Sequence, residues 1–513
     1  MKRHQFISPG ALHRMLQAAD QAWKRRDFQQ AIETLETITR RDPANASVLL
    51  DLGVAHGKRY DYAAAERCFE KALRLAPQKT SMLALIGQRA RDFSNAELCE
   101  RHLLRAVEQP DATAEMFIPL AELYERRRRT EDAASLVERA LRLNPACPAA
   151  LLTRARLERQ AGRLESAEKL LRAFPVNTDP SLRARAAYEL GGILDRQGNY
   201  DAAMTAFLQA KELLRPQAAR PLFELKVMRT RLKDLAAKSS ADILRRWFDQ
   251  GREFQPPRRL VLLGGHPRSG TTLLEQVVDA HPDIVSAEET DIFHDDAYAP
   301  LMRGLPEDTA MFAALESATT GALQQSRQNY FRSIEAFLEQ PVAGRLLIDK
   351  NPSYTFLPPA LIRIFPEIKF LIALRDPRDV VLSCFMQNIP LNQVGAAFLS
   401  LESTAEEYAC LMGIWQTLKP LLPSPHLEVR YEDMVEDLES VARKTLDFLG
   451  VPWDDRVLAF DAHARQKMVR SPTYADVTQP VYKRAKGRWL NYQKYLEPNL
   501  AKLETFVKAF GYE

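Results

Sequence analysis

Between Gly265 and Thr272 the chain reads G-H-P-R-S-G-T-T, directly after the apolar run Leu260 to Leu263. The spacing nearly fits the phosphate-binding loop G-x-x-x-x-G-K-[ST], but Thr271 stands where that loop has its lysine. A Gly-rich turn that opens a helix offers an anion aligned backbone N–H groups and the positive end of the helix dipole. Ser269, Thr271 and Thr272 add hydroxyl donors, Gly270 supplies the turn, and Arg268 brings a planar cation into the loop. A triphosphate with its magnesium is poorly served without the lysine. A single phosphate ester carrying a less charged group fits better, and a phosphosulfate is one such group. The residues by themselves go no further than a phosphate-bearing ligand. The plainer alternative is an ordinary turn between strand and helix; the clustering of R-S-G-T-T after a buried strand weighs against it.

A second cluster, R-D-P-R-D-V-V-L-S, places Arg375 at a strand end and Ser383 inside the helix that follows. An arginine and a hydroxyl near a helix start make an anion site separate from the first. A nucleotide with 5′ and 3′ phosphate groups suits both clusters. The alternative is a solvated ion-pair turn with Pro377 at the first helical position. Glu289, the second glutamate of A-E-E-T, follows a short strand and can take a proton from a phenol or an alcohol. A surface carboxylate capping the next helix is the competing role, and it suits Glu288 better. Lys350 closes the run L-L-I-D-K, where its plainer role is pairing with Asp349. His281, in A-H-P-D, reads as a turn residue ahead of a base.

These residues need a scaffold that gathers strand ends. After Leu260–Leu263, apolar runs ending at Lys350 and covering 369–376 and 427–433 alternate with helical stretches. Continuous apolar runs indicate strands covered on both faces, hence a parallel α/β sheet. Ligands of such sheets sit beyond the carboxyl ends of the strands, where the Gly264–Thr272 loop, Lys350 and Arg375 all fall.

The first 216 residues follow a different rule. Prolines at 43, 77, 110 and 145 recur at intervals of about 34 residues. From Ala46 the residues Leu52, Gly53, Ala65, Phe69, Ala72 and Pro77 take the small and large packing positions of a helix–turn–helix repeat. This is the tetratricopeptide pattern, with copies around Ala19, Ala121 and Gly191 and degenerate ones around Gly87 and Ala155. About six units predict an all-α superhelix with a concave face. Such a face either binds a peptide or protein partner or serves only as a scaffold. The run E-R-R-R-R-T-E-D-A, Glu125 to Ala133, reads as a solvated loop. The period is lost at Pro216, and residues 217–257 predict a linker of one or two amphipathic helices. The α/β domain then spans 258–513.

The chain has 513 residues, 46% hydrophobic and 27% charged, with a formal net charge of +4. That balance suits a soluble protein of two or three domains and gives no reason to expect a nucleic-acid partner. Five scattered cysteines have no metal-ligand spacing, which predicts free thiols in a reducing cytoplasm and no metal. No run approaches the roughly 18 apolar residues of a transmembrane span.

With both clusters in view, the second domain resembles the P-loop sulfotransferases that use 3′-phosphoadenosine-5′-phosphosulfate, and among them the tyrosylprotein sulfotransferases. The segments that carry the likeness are P-R-S-G-T-T, D-A-H-P-D-I-V-S-A-E-E-T, L-I-D-K-N-P, R-D-P-R-D-V-V-L-S, V-R-Y-E-D and V-R-S-P-T-Y-A-D-V-T-Q-P-V-Y-K-R-A-K-G-R-W. Combined with the repeats, the chain resembles the bacterial tetratricopeptide-repeat sulfotransferases. The resemblance implies that Arg268 to Thr272 form the 5′-phosphosulfate loop and that Arg375 and Ser383 hold the 3′-phosphate. It implies Glu289 as general base, with Lys350 and Ser471 stabilising the leaving group and the transferring sulfuryl. Tyr431 would lie near the 3′ side of the adenosine, and Lys486 and Arg488 in a tail closing over the nucleotide.

The acceptor implied is a hydroxyl, on a peptide tyrosine or a small molecule. Two departures stand out. The tyrosylprotein members have arginine after E-E-T where this chain has Asp291, and they carry a membrane anchor, which is not expected here because no run reaches transmembrane length. The competing functions are a P-loop kinase with Asp349 as magnesium ligand, and a repeat-based interaction protein with an inactive enzyme domain.

Overall fold

A computed structural model describes residues 8–93, 95–256, 258–306, 309–466 and 485–512. The chain forms two compact units, Met1–Phe174 and Pro175–Glu513.

The first unit is all-helical. Five pairs of helices follow one another: Pro9–Lys24 with Phe28–Arg41, Ala46–Lys58 with Tyr62–Leu75, Lys79–Asp92 with Ala96–Val107, Ala114–Arg126 with Thr130–Leu143, and Pro148–Gln160 with Leu164–Arg172. Asp27, Asn45, Asp61 and Asn95 start their helices by accepting a hydrogen bond from a backbone amide of the first turn. The repeat positions carry the packing. A Cβ on Gly53 would come within 2.4 Å of the Phe69 ring, so the two helices touch only because that position is bare. In the degenerate copy Gly87 meets Leu103 in the same way, and an aliphatic side chain stands in for the aromatic one.

Ion pairs stitch the second to the fifth helical pairs together. Glu70 pairs with Arg105 at 2.6 Å, Arg91 with Glu122 at 3.1 Å, and buried Glu125 with Arg156. The arginine run at Glu125–Ala133 contains the turn between two helices, with Arg126, Arg128 and Arg129 exposed as expected and Arg127 half-buried. Arg127 and Arg129 both reach Glu100, and the Arg129 guanidinium lies 3.8 Å over the Tyr124 ring.

The second unit opens with a sixth pair, Pro180–Arg196 and Tyr200–Leu214, which periodicity groups with the repeats. Two helices, Ala219–Lys238 and Ala241–Gly251, fill the stretch where the period is lost. They lie against the α/β core: Arg229 reaches buried Glu407, and the Trp247 indole N–H donates to Glu316 at 2.7 Å.

The sheet has five strands, β1 (Arg259–Gly265), β2 (Ile284–Glu288), β3 (Leu346–Lys350), β4 (Lys369–Leu374) and β5 (His426–Arg430). Their order is β2-β3-β1-β4-β5, and every pair is parallel. β1 to β4 are buried over almost their whole length, as continuous apolar runs require. The register sets Leu263 and Glu288 on either side of Lys350, so the carboxyl ends of three strands finish together. β5 stops at Arg430, short of the run expected to Asp433. A helix takes over at Tyr431, with Glu432 and Asp433 in its first turn, where the helix dipole favours acidic residues. Among the described residues no helix is long and apolar enough to cross a membrane.

Candidate active site

β1 delivers the chain into the loop, and two glycines shape it. Gly265 has φ 135°, and a Cβ there would lie 2.4 Å from the Ala373 carbonyl oxygen of β4. Gly270, at φ 94°, caps the helix Thr271–Asp279 and leaves no room for a Cβ beside Tyr431. Arg268 also takes a left-handed conformation, φ 73°. The base of the loop is pinned by Thr355, whose hydroxyl accepts from Gly265 N at 2.7 Å and donates to Gly265 O at 3.1 Å. His266 is fully buried, 4.9 Å from the Tyr408 ring. Burial pushes its pKa down to about 4, against the opposing hydrogen bond to the Pro267 carbonyl, so it carries no charge at neutral pH. Buried Ser269, Thr271 and Thr272 line the start of the helix.

The two anion clusters, expected as separate sites, adjoin. Arg268 Nε donates to Ser383 Oγ at 3.1 Å, and Arg375 Nη1 donates to the Arg268 carbonyl at 3.3 Å. Ser383 sits on the helix Pro377–Met386, whose start is capped by Asp376. Tyr431 closes the group: its ring packs on Gly270 and lies 5.1 Å from the Arg375 guanidinium. The cradle is therefore one continuous surface of arginine, hydroxyl and helix N-terminus. Its two glycines let the loop pack directly against the Ala373 carbonyl and the Tyr431 ring, where no side chain would fit, and the arginine and hydroxyl donors are of the kind a phosphate-bearing group takes.

Beside it, at the ends of β2 and β3, Lys350 is wholly buried among three carboxylates. Its ammonium hydrogen-bonds Glu289, lies 3.5 Å from Glu288 and lies 3.9 Å from Glu275. Burial alone would lower the lysine pKa, but Glu275, Glu289 and Glu288 together outweigh it and raise the value, keeping the charge in place. Glu288 and Glu275 are buried with it, whereas the Glu289 side chain is 39% exposed. A local turn makes this difference. Glu289 has φ 49° and donates its amide to the Lys350 carbonyl at 2.7 Å, so the chain swings out of β2 between the two glutamates. Lys350 thus pairs with the glutamates and not with Asp349.

Asp349 points to the other face of β3, where Tyr330 donates to it at 2.8 Å. Burial pushes its carboxyl up to about 7, opposed by that hydrogen bond. A raised folded pKa makes the wild-type protein lose stability as pH climbs from about 4 to 7. Asp349→Asn, which cannot ionise, is expected to gain stability over wild type across that window, level off above it, and keep full activity. Thermal unfolding at several pH values checks this.

Of the remaining expected residues, Lys486 pairs with Glu436 at 2.9 Å and Arg488 with Asp195 at 2.7 Å. Both ion-pair partners stand outside the Arg268–Ser383–Arg375 cradle. Ser471 lies outside the described residues. Glu275, Thr355 and Asp379 were not singled out by sequence. Glu275 hides in the helical pattern L-L-E-Q-V-V, where a lone acid reads as solvent-facing, yet it is fully buried and accepts from Ser286 at 2.7 Å.

A family model described as "Sulfotransferase family" matches residues 261–455, and a tetratricopeptide-repeat model matches 16–80, 118–181 and 170–221. An uncharacterized protein of Aquifex aeolicus is 24% identical over 336 residues, covering 64% of this chain and 42% of that protein. Protein-tyrosine sulfotransferase 1 of Danio rerio is 26% identical over 262 residues, covering 50% of this chain and 72% of its own. The chain thus spans less than half the length of the Aquifex relative. Among solved structures, the sulfotransferase domain of the Synechococcus PCC 7002 olefin synthase is 23% identical, with a TM-score of 0.33 over 50% of this chain and 98% of that one. The chain carries a sulfotransferase-family domain together with tetratricopeptide repeats.

Proposed function

We propose that the protein transfers the sulfuryl group of 3′-phosphoadenosine-5′-phosphosulfate to a hydroxyl acceptor without a metal ion. The observation that carries this reading is the half-exposed Glu289 carboxylate held on buried Lys350, next to the Arg268–Ser383–Arg375 cradle. When bound, the donor supplies an activated sulfuryl whose leaving group is a 5′-phosphate. Arg268 to Thr272 would hold that end through the loop amides and hydroxyls, and Arg375 and Ser383 the 3′-phosphate, with Tyr431 beside it. Glu289 takes the acceptor proton, while the adjoining Lys350 ammonium and Ser471 would offset negative charge developing on the transferring sulfuryl and its leaving oxygen. Lys486 and Arg488, expected in a tail closing over the nucleotide, are instead engaged by Glu436 and Asp195.

Protein tyrosine is one acceptor class, supported by the names of the Danio rerio and Drosophila melanogaster relatives. Asp291 in place of a cation works against acidic peptides and leaves small-molecule alcohols and phenols as the other class. The repeats over 1–216 would hold a protein partner or present the acceptor, and 217–257 would join them to the transferase domain over 258–513. Free thiols suit a reducing, cytoplasmic setting. The kinase alternative is weakened because Asp349, its magnesium ligand, is buried, hydrogen-bonded by Tyr330 and raised in pKa.

Radiolabelled donor offered with peptides, phenols, sugars and lipids in the presence of a chelator tests the reading. Label on an acceptor supports it. Phosphoryl transfer from magnesium ATP, with no sulfuryl transfer, overturns it. Arg375→Ala is expected to weaken adenosine 3′,5′-bisphosphate by roughly 1.5–3 kcal/mol, the range for a charged hydrogen bond. Adenosine 5′-monophosphate, which lacks the 3′ group, should lose much less. Equal losses for the two nucleotides would remove Arg375 from the 3′ position.

A further inference from the structure

The segment 485–495 is tied down on two sides. On one side stands the cradle. Arg375 Nη2 donates to the Ala485 carbonyl at 2.5 Å and lies 3.7 Å from Asp379. Asp379 accepts from the backbone amides of Gly487 and Trp489, both at 2.8 Å, and the Arg378 guanidinium lies 4.2 Å over the Trp489 ring. On the other side stands the sixth helical pair. Asp195, near the end of Pro180–Arg196, accepts from the Tyr492 hydroxyl at 2.7 Å and pairs with Arg488 at 2.7 Å. Asp201, at the start of Tyr200–Leu214, pairs with Lys494 at 2.7 Å and accepts from the Tyr495 hydroxyl at 2.9 Å. Tyr200 and Tyr492 meet edge to face, their centroids 5.3 Å apart.

A third contact runs from the same pair to the helix that carries Ser383. Lys211 of Tyr200–Leu214 is buried, and its ammonium lies 4.7 Å from the Phe385 ring. Phe385 is two residues beyond Ser383 on Pro377–Met386. The sixth pair therefore touches both the helix behind the cradle and the segment that Arg375 and Asp379 hold.

We propose that this last tetratricopeptide helical pair is a working part of the donor site, with Asp195 as a positioning residue for Arg375. The inference rests on the donor reading given above. The physical chain is short. Asp195 anchors Arg488, which lies between Gly487 and Trp489 whose amides Asp379 binds, and Tyr492 just beyond them. Asp379 and the Ala485 carbonyl in turn fix the guanidinium of Arg375. Asp195 touches no ligand itself, so its effect reaches the nucleotide only through where Arg375 is held. Loosening that hold lowers the fraction of molecules with Arg375 in the binding position, and apparent affinity falls by that fraction.

Calorimetry on the full chain with adenosine 3′,5′-bisphosphate tests this. Asp195→Asn keeps the shape and removes the charge. It is expected to weaken binding roughly tenfold, a typical coupling between sites, and Asp195→Glu to restore most of it. In transfer assays the loss should fall mainly on KM for the donor, with kcat changed far less. In an Arg375→Ala background Asp195→Asn should cost little more, because both act through one guanidinium. Tyr492→Phe, which removes a single hydroxyl, guards against a folding defect and should give a smaller loss in the same direction.

If wild type fails to bind the bisphosphate, the donor reading falls and takes the inference with it. If wild type binds and neither Asp195→Asn nor Tyr492→Phe changes affinity, the inference alone is overturned. Fully additive losses with Arg375→Ala overturn it too.

Discussion

Glu289→Gln is expected to lower sulfuryl transfer by about 10²- to 10⁴-fold, the usual contribution of a positioned general base, and to leave adenosine 3′,5′-bisphosphate affinity unchanged. The geometry separates the two effects. Glu289 is the exposed member of the carboxylate group, turned outward by its own left-handed backbone, while Glu288 and Glu275 stay buried with Lys350. Glutamine keeps the volume and can still accept from Lys350 through its carbonyl oxygen. It cannot take a proton from an acceptor hydroxyl. Steady-state rates at saturating donor, with binding measured on the same preparation, check this. A variant that binds the bisphosphate poorly would make Glu289 part of the nucleotide site; full activity would move the base elsewhere.

Lys350→Met carries the second large effect, and it acts on stability as well as on rate. The ammonium is the cation facing Glu288 and Glu275, both buried, and it also holds Glu289. Methionine fills the aliphatic part of the space and leaves two buried carboxylates without it. Removing one partner of a buried ion pair typically costs about 3–5 kcal/mol. The sign of the pH dependence follows. Buried carboxylates that lose their cation shift upward in pKa, so protonation relieves the variant at low pH. The stability gap to wild type should therefore be smallest near pH 5 and widen towards pH 8. Thermal unfolding across that range measures it, and a gap that does not move with pH would mean the lysine contributes through packing. Transfer should be lost at every pH, because the variant lacks the ammonium on which Glu289 is held.

The parts of this molecule that were legible in the sequence are those in which one residue type has one physical use. Gly53 opposite Phe69, repeated as Gly191 opposite Phe207, betrays the helical pairs because only a bare position admits the ring. Gly265 to Thr272 betrays the loop, and continuous apolar runs betray buried parallel strands. Contacts that join distant segments were not legible. Glu275 reads as an ordinary helical acid until β3 brings Lys350 to it, 75 positions later in the chain. Asp195 reads as a repeat-surface acid until Tyr492, 297 residues downstream, returns to it. The pairing of Lys350 likewise could not be read from its neighbour Asp349, because alternate residues of a strand face opposite sides. Periodicity grouped the sixth helical pair with the repeats by pattern, and its ion pairs with 488–495 explain why it is compact with the α/β unit.

The central claim is that the loop without a lysine, joined to Arg375 and Ser383, is built for a nucleotide with phosphates at both ends. Calorimetric titration of the full chain with adenosine 3′,5′-bisphosphate, adenosine 5′-monophosphate and magnesium ATP tests it most directly, because no acceptor need be known. The account predicts that the 3′,5′-bisphosphate binds tightest and does so equally well in a chelator. Tightest binding of magnesium ATP, lost on chelation, would contradict it.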